Sequence, residues 1–336
     1  MEVIDRPEPA APGPGEVAVQ PEAVGICGSD LSFFSGHMSE AAGGSRFPRV
    51  QGHELAGVIT AVGPGCRPGL AAGQRVAIWP LLPCGHCYPC GAGRPNACDN
   101  LTLIGIHLDG GLQERLVTGE SQVFPITTED AAVAAMAEPV SIAVRAVNRA
   151  AVQAGERVVV LGAGPIGQCI CLVARERGAE VLVVDLQRSR LALSRELGAQ
   201  ETLQWAGGDQ VVTFARRWAG PAGPPAVFDA TGVAVASAAM VAMVASAGRA
   251  VQVGMSNEVV PLRVGVMTEK ELDLLGVSCA GAMEFGDAVG VTQRNAGSLA
   301  RLVSHRFSLD RAPEAISFAA DHPAEVMKVV IGGVPA

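Results

Sequence analysis

The sequence predicts a mixed α/β chain of two domains, the second built on a doubly wound parallel sheet. Three observations predict it. The chain has 336 residues, about twice the ~150 of a common domain. From Arg157 onward, short β-branched strands alternate with apolar-periodic helices, the rhythm of parallel strands joined by right-handed crossovers. The first of those strands runs into Gly162-Ala163-Gly164-Pro165-Ile166-Gly167, and a Gly-x-Gly-x-x-Gly between strand and helix marks a dinucleotide turn.

Composition narrows the partners. A net charge of -8, from 25 Lys+Arg against 33 Asp+Glu, argues against a broad basic surface, so neither nucleic acid nor an anionic membrane is expected. Mean hydropathy is +0.31, which raises the question of a membrane span of roughly 20 residues. The stretch Ala234 to Ala247 reads as the longest apolar run, broken by Ser237 and Ser246 and closed by Gly248, and suits a buried helix. The segment Met1 to Pro7 lacks the apolar core of a signal peptide. A cytoplasmic protein is the expectation, and its nine cysteines are then thiols kept reduced for metal or catalysis.

The first chemistry-bearing segment is Gly25-Ile26-Cys27-Gly28-Ser29-Asp30, followed by Gly52-His53-Glu54. A thiolate and an imidazole suit zinc, and a catalytic zinc needs a third protein ligand and one open position. Each residue alone reads as an ordinary core group. Glycines at Gly57 and Gly63 and a thiol at Cys66 complete a Gly-His-Glu-x2-Gly-x5-Gly-x2-Cys pattern.

Next come Cys84, Cys87, Cys90 and Cys98, four thiols within fifteen residues separated by two, two and seven. Short gaps let turns aim successive sulfurs at one point, and four thiolates close a tetrahedral shell around zinc; an iron–sulfur cluster also accepts four cysteines. Interleaved Gly85, Pro89, Gly91, Gly93 and Pro95 make the segment a loop with no core of its own, so metal must order it. We read a structural zinc site with His86 as bystander.

In the second half, Val158 to Leu161 is a strand, and the glycines allow backbone N–H groups to approach a pyrophosphate at a helix N-terminus. The next strand, from Glu180, ends in Asp185, 23 residues after Gly162. A carboxylate there bonds ribose hydroxyls and repels a 2′-phosphate, which favours NAD over NADP. Ile166 is placed against the nicotinamide face, ordinary core packing being the alternative. Further strands are expected at Ala226 to Asp229, Arg249 to Val253 and Leu272 to Val277, with helices at about Ser189 to Leu197, Asp209 to Trp218 and Ala234 to Ala247.

With the Gly-His-Glu pattern, the Cys-Gly-Ser-Asp segment, the four-cysteine loop, Gly73-Gln74-Arg75-Val76, Glu138-Pro139-Val140-Ser141 and the glycine turn in this order, the sequence resembles the zinc-containing alcohol dehydrogenases of the medium-chain dehydrogenase/reductase superfamily. It is most similar to the sorbitol, threonine and sugar-acid branch, which carries Glu-Pro where liver-type enzymes place a cysteine ligand. The resemblance implies a GroES-like β-barrel catalytic domain at 1–140 with 283–336 and a Rossmann domain at 141–282. It implies Cys27, His53 and Glu138 around a catalytic zinc, directly or through water, with Glu54 close enough to exchange in. Two zinc ions per chain and NAD are the implied cofactors. Asp30 would accept from the free ring N–H of His53 and fix its tautomer, and Arg190 would touch the adenosine ribose.

Ser29 would take the proton from the bound hydroxyl, since a hydroxyl both donates and accepts. In many relatives a histidine three residues on completes the relay; here that position is Ser32, leaving water or His37 for the outer step. The implied reaction is hydride transfer from a secondary alcohol, a polyol or sugar acid, to NAD. Polyol relatives carry an arginine near the position of Cys279, and without that fork of donors a threonine-type amino alcohol or a simple secondary alcohol is the alternative, with Phe33, Phe34 and Trp79 lining an apolar pocket. A catalytically silent zinc- and nucleotide-binding protein is a rival, opposed by the joint presence of Cys27, Ser29, His53 and Glu138; a zinc-free quinone reductase would lack both metal sites. Homodimers or homotetramers are expected.

Overall fold

Val17, Ala18 and Val19 are all fully buried, so β1 (Glu16–Gly25) is covered on both faces and serves as the hub of its sheet. The computed structural model describes residues 1–36, 48–256 and 258–333, which form two units: Met1–Ser141 with Ala280–Ala336, and Ile142–Cys279.

In the first unit β1 leads into the short helix α1 (Gly28–Phe34) and pairs antiparallel with β2 (Glu54–Val62), which carries β3 (Arg75–Ile78) on its other edge. A two-stranded ribbon, β4 (Leu81–Leu82) and β5 (Thr102–Leu103), flanks the cysteine loop, which contains the single turn α2 (Tyr88–Gly91). Then β6 (Leu116–Gly119) pairs with β1, and β7 (Val123–Pro125) with β3. Val17, Val19, Val24, Leu55, Ile59 and Ile78 fill the core.

Two consecutive helices follow, α3 (Ala131–Ala135) and α4 (Ala137–Arg149). Together they make a 19-residue helical run with a mean hydropathy of 1.2, long and apolar enough to cross a membrane. This corrects the sequence reading, which took Ala234 to Ala247 as the longest apolar run; Pro139 lies in the first turn of α4, where proline is tolerated. Within the protein 83% of the run is buried, as in a core helix.

The second unit contains β8 (Arg157–Leu161), α5 (Pro165–Glu176), β9 (Glu180–Asp185), β10 (Glu201–Gln204), β11 (Ala226–Asp229), β12 (Arg249–Gln252) and β13 (Asp273–Gly276). All six strands are parallel, in the order β10-β9-β8-β11-β12-β13, the doubly wound sheet that the sequence predicts. Strand order reverses beside β8, the position where such sheets hold ligands. Polar β10 is an addition to the expected strands. The helix expected to reach Ala247 ends at Met243, because the next residues turn so that Ala245 N–H can bond Pro224 O at 2.9 Å.

The chain re-enters the first unit at Ala280 and, after two helices, adds β14 (Val303–Phe307) and β15 (Lys328–Gly332); β15 pairs parallel with β14 and antiparallel with β1, completing the order β14-β15-β1-β2-β3-β7.

Candidate active and metal sites

Cys27 is the N-cap of α1 in extended backbone, and Asp30, three residues on, accepts its N–H through Oδ2 at 2.9 Å. This local bond fixes the turn that presents Cys27 and half-buried Ser29. His53 and Glu54 arrive at the head of β2, where Glu54 pairs across to Gly25. Donor atoms of Cys27, His53 and Glu54 all lie within 4.8 Å of one another. Glu138 is outside that trio but close by: it sits buried in the first turn of α4, where the helix N-terminus favours a carboxylate, and its charge interacts with His53, Glu54 and Asp30.

The expected Asp30–His53 hydrogen bond is not made at this geometry. His53 Nδ1 and Asp30 Oδ1 stand 3.8 Å apart, beyond hydrogen-bond range, and both atoms are buried without a hydrogen-bond partner among the described residues. Asp30 spends its other oxygen capping α1 instead. Ser32 donates its hydroxyl to Gly28 O at 3.0 Å, and His37 lies outside the described residues. Phe33 and Trp79 are buried, Trp79 donating to Ala280 O at 2.9 Å, while Phe34 is exposed; the first two are core.

One buried charged residue beside the cluster went unread in the sequence. Lys328, at the head of β15, donates to both oxygens of Glu54 at 2.8 Å and to Ile26 O at 3.1 Å. Its only sequence signal is a lysine opening a strand that is otherwise Val-Val-Ile and buried.

The electrostatics describe a pocket crowded with buried acidic groups around Lys328 and His53. Burial pushes the Asp30 carboxyl up, and raises that of Glu138 to about 7. For His53, burial alone would lower the pKa, yet the charges of Asp30, Cys27 and Glu138 together hold it well above its ordinary value. Acidic groups and an imidazole held close together out of water shift one another in these directions. A thiolate, an imidazole and a carboxylate are a catalytic zinc donor set, so these residues fit the metal.

The cysteine loop fits it too. Sulfurs around tetrahedral zinc, each about 2.3 Å away, lie roughly 3.8 Å apart; Cys87 and Cys98 are 3.7 Å apart, and all four sulfurs lie within 4.8 Å of one another. Backbone N–H groups of Cys84 and Asn100 point at Cys98 Sγ, at 3.2 and 3.3 Å. An N–H bond from His86 leads the effects that lower the Cys84 thiol to about 6, so one thiolate forms readily. His86 Nδ1 also lies 3.4 Å from Cys84 Sγ.

In the second unit, a Cβ on Gly167 would stand 1.8 Å from Gly162 O, so the turn closes only with glycine there. Asp185 accepts from Ala163 N–H and Gln187 N–H, both at 2.7 Å, which anchors the carboxylate to the glycine turn. Arg190 reaches to 4.0 Å from where a Gly164 side chain would begin. Ile166 is half-buried at the start of α5. Fully buried Gln168, a polar residue in an apolar helix, donates to Ala163 O and Arg190 O and accepts from Ser194, tying the turn to the following helix.

Residues 13–128 match the alcohol dehydrogenase GroES-like domain and residues 165–294 the zinc-binding dehydrogenase domain. The 2-dehydro-3-deoxy-L-galactonate 5-dehydrogenase of Pseudoalteromonas atlantica is 34% identical over 83% of this chain and 80% of its own length. The chain belongs to the zinc-binding alcohol dehydrogenase family. Among solved members, an Escherichia coli CFT073 alcohol dehydrogenase complexed with NADH is 31% identical, with a TM-score of 0.85 over 97% of this chain and 94% of that one. A Sinorhizobium meliloti protein described as a zinc-binding dehydrogenase, bound to NADP, is 32% identical, with a TM-score of 0.87 over 96% and 93%. As a family member, this dehydrogenase is a zinc-dependent oxidoreductase of secondary alcohols, with a GroES-like domain and a nucleotide-binding Rossmann domain.

Proposed function

We propose that this dehydrogenase uses NAD to oxidise a secondary hydroxyl of a polyol or sugar acid to a ketone, in the cytoplasm, with two zinc ions per chain. The observation that carries the activity is the convergence of Cys27, His53 and Glu54 beside buried Glu138. In this reading Cys27, His53 and one carboxylate hold the catalytic zinc, and Cys84, Cys87, Cys90 and Cys98 hold a structural one. Bound there, zinc supplies Lewis acidity that draws the pKa of a coordinated hydroxyl from about 16 toward 7.

The chain's own residues do the rest. Ser29, on the first turn of α1, accepts the substrate's hydroxyl proton. Ser32 has committed its own proton to Gly28 O, so the outward step goes to solvent. Asp30 orients Cys27 by capping α1, and its second oxygen faces His53 Nδ1 across 3.8 Å. In the second unit the turn Gly162–Gly167 receives the pyrophosphate, Ile166 faces the nicotinamide, and Arg190 flanks the ribose. The anchored carboxylate of Asp185 supports NAD, because a 2′-phosphate would meet its negative charge at a site fixed by two N–H bonds. Among the described residues none of the nine cysteines forms a disulfide, which suits a reducing compartment. For a homodimer or homotetramer, edge strand β13 offers exposed Leu274 and a flank with no partner strand among the described residues.

The test is a turnover assay with NAD and NADP over polyols, aldonates, amino alcohols and plain secondary alcohols, alongside metal analysis. The expected result is about two zinc per chain and NADH formation with a polyol or aldonate, at least ~10-fold faster than with NADP. Nucleotide binding with no turnover of any alcohol would mean a silent zinc- and nucleotide-binding protein.

A further inference from the structure

Asp229 ends β11 with a fully buried carboxylate. Five donors hold it, every one of them neutral. Oδ1 accepts from Thr231 N–H at 2.8 Å, Thr231 Oγ1 at 2.6 Å and Gly232 N–H at 3.3 Å; Oδ2 accepts from Ser237 Oγ at 2.7 Å and Gln252 Nε2 at 3.2 Å. The two backbone N–H groups and the amide can only donate, and hydroxyl bonds of 2.6 and 2.7 Å have the length of an O–H given to a charged oxygen. The group is therefore an ionised carboxylate whose five partners spread its charge without cancelling it.

This charge lies under the crevice where such a sheet holds a dinucleotide. Asp229 O accepts from Val253 and Gly254 N–H at 2.9 and 2.8 Å, so the ends of β11 and β12 meet around it. A Cβ on Gly254 would stand 2.1 Å from Gly232 N, and no side chain separates the two ends. Thr231, held on Oδ1, places its methyl 2.7 Å from where a Gly162 side chain would begin, against the glycine turn. In a sheet whose order reverses beside β8, the two halves of a dinucleotide fall on either side of the reversal. Asp185 and Arg190 assign the adenosine half to β9, which leaves the nicotinamide half over β11 and β12. We propose that the fixed charge of Asp229 biases this site toward the oxidised cofactor, attracting the cationic ring of NAD but not the neutral ring of NADH. This rests on the NAD reading of the second unit. The bias suits alcohol oxidation, because the reduced product then leaves a site that favours the oxidised form.

Calorimetric titration of the zinc-loaded protein with NAD, NADH and 5′-AMP tests this. In D229N, which keeps the shape and removes the charge, the ratio of the NAD to the NADH dissociation constant should rise about 10-fold. Binding of 5′-AMP, which carries no nicotinamide, should match wild type. T231V, which removes one donor and keeps the charge, should keep the wild-type ratio. An unchanged ratio in D229N overturns the proposal, as does an equal weakening of all three ligands, the mark of a loosened sheet. A ratio that rises as far in T231V overturns it too. If D229N does not fold, D229N/Q252M carries the same expectations, since it removes the amide donor that would face the new amide. Failure of the underlying NAD reading looks different: wild type would then bind neither NAD nor NADH, or would take NADP in preference to both.

Discussion

The two candidate metal sites draw on the same ligand chemistry in opposite settings. The cysteine loop is local, contained within fifteen residues, and half-exposed, with Tyr88 at 86% exposure on its single helical turn. The Cys27 cluster gathers residues from α1, β2, α4 and β15, and Asp30, His53, Glu54, Glu138 and Lys328 are all buried. Without metal the loop has little to hold its shape, because its order comes from coordination. The buried cluster is shaped by strand pairing and capping, and an absent metal leaves it with displaced protons rather than lost structure. In the proposed zinc reading, one site would obtain its fold from the ion and the other would impose a fold upon it.

If that contrast is right, Cys27→Ser should cost activity and spare the fold. Turnover should fall about 1000-fold, from several kcal/mol of lost Lewis-acid stabilisation, while the melting midpoint stays within about 3 °C of wild type. A variant that keeps its turnover breaks the assignment. Cys90→Ser should do the reverse, lowering the melting midpoint by roughly 5 °C or more and opening the loop to proteolysis beside Tyr88, with the chemistry of the Cys27 site retained in folded molecules. Full thermal stability and undiminished zinc in that variant would remove the structural role of the loop.

The smallest effect concerns pH in metal-free protein. Burial raises the Glu138 carboxyl from 4.5 to about 7, so its contribution to stability is present in the protonated form below 4.5 and is lost as pH rises through about 7. Wild-type apoprotein should therefore lose stability over this window relative to Glu138→Gln, which cannot ionise. Melting curves of both proteins between pH 4.5 and 8 check this; parallel curves would mean that Glu138 is not held protonated by the pocket.

The contrast also explains what could be read from the chain. The cysteine loop was legible whole, because its chemistry is its spacing. The parallel sheet was legible because strands buried on both faces appear as runs such as Val158-Val159-Val160-Leu161, whereas polar β10 carries no such signal. Cys27, His53 and Glu54 were suggested by residue type and by resemblance, but their surroundings were not. Lys328 lies 274 residues from its partner in a strand that local reading treats as core. The capping role of Asp30 was obscured by an expected bond to His53, since a carboxylate serves a helix cap or an imidazole equally well.

The closing of the first sheet by β15 also orders events during synthesis. A nascent chain emerging from the ribosome presents Cys27, His53 and Glu54 long before Lys328, and the intervening Rossmann unit can complete its own sheet while β1 still waits for a neighbour. Until translation passes Gly332, Glu54 has no ammonium beside it. The pocket thus reaches its finished charge arrangement only with the last strand.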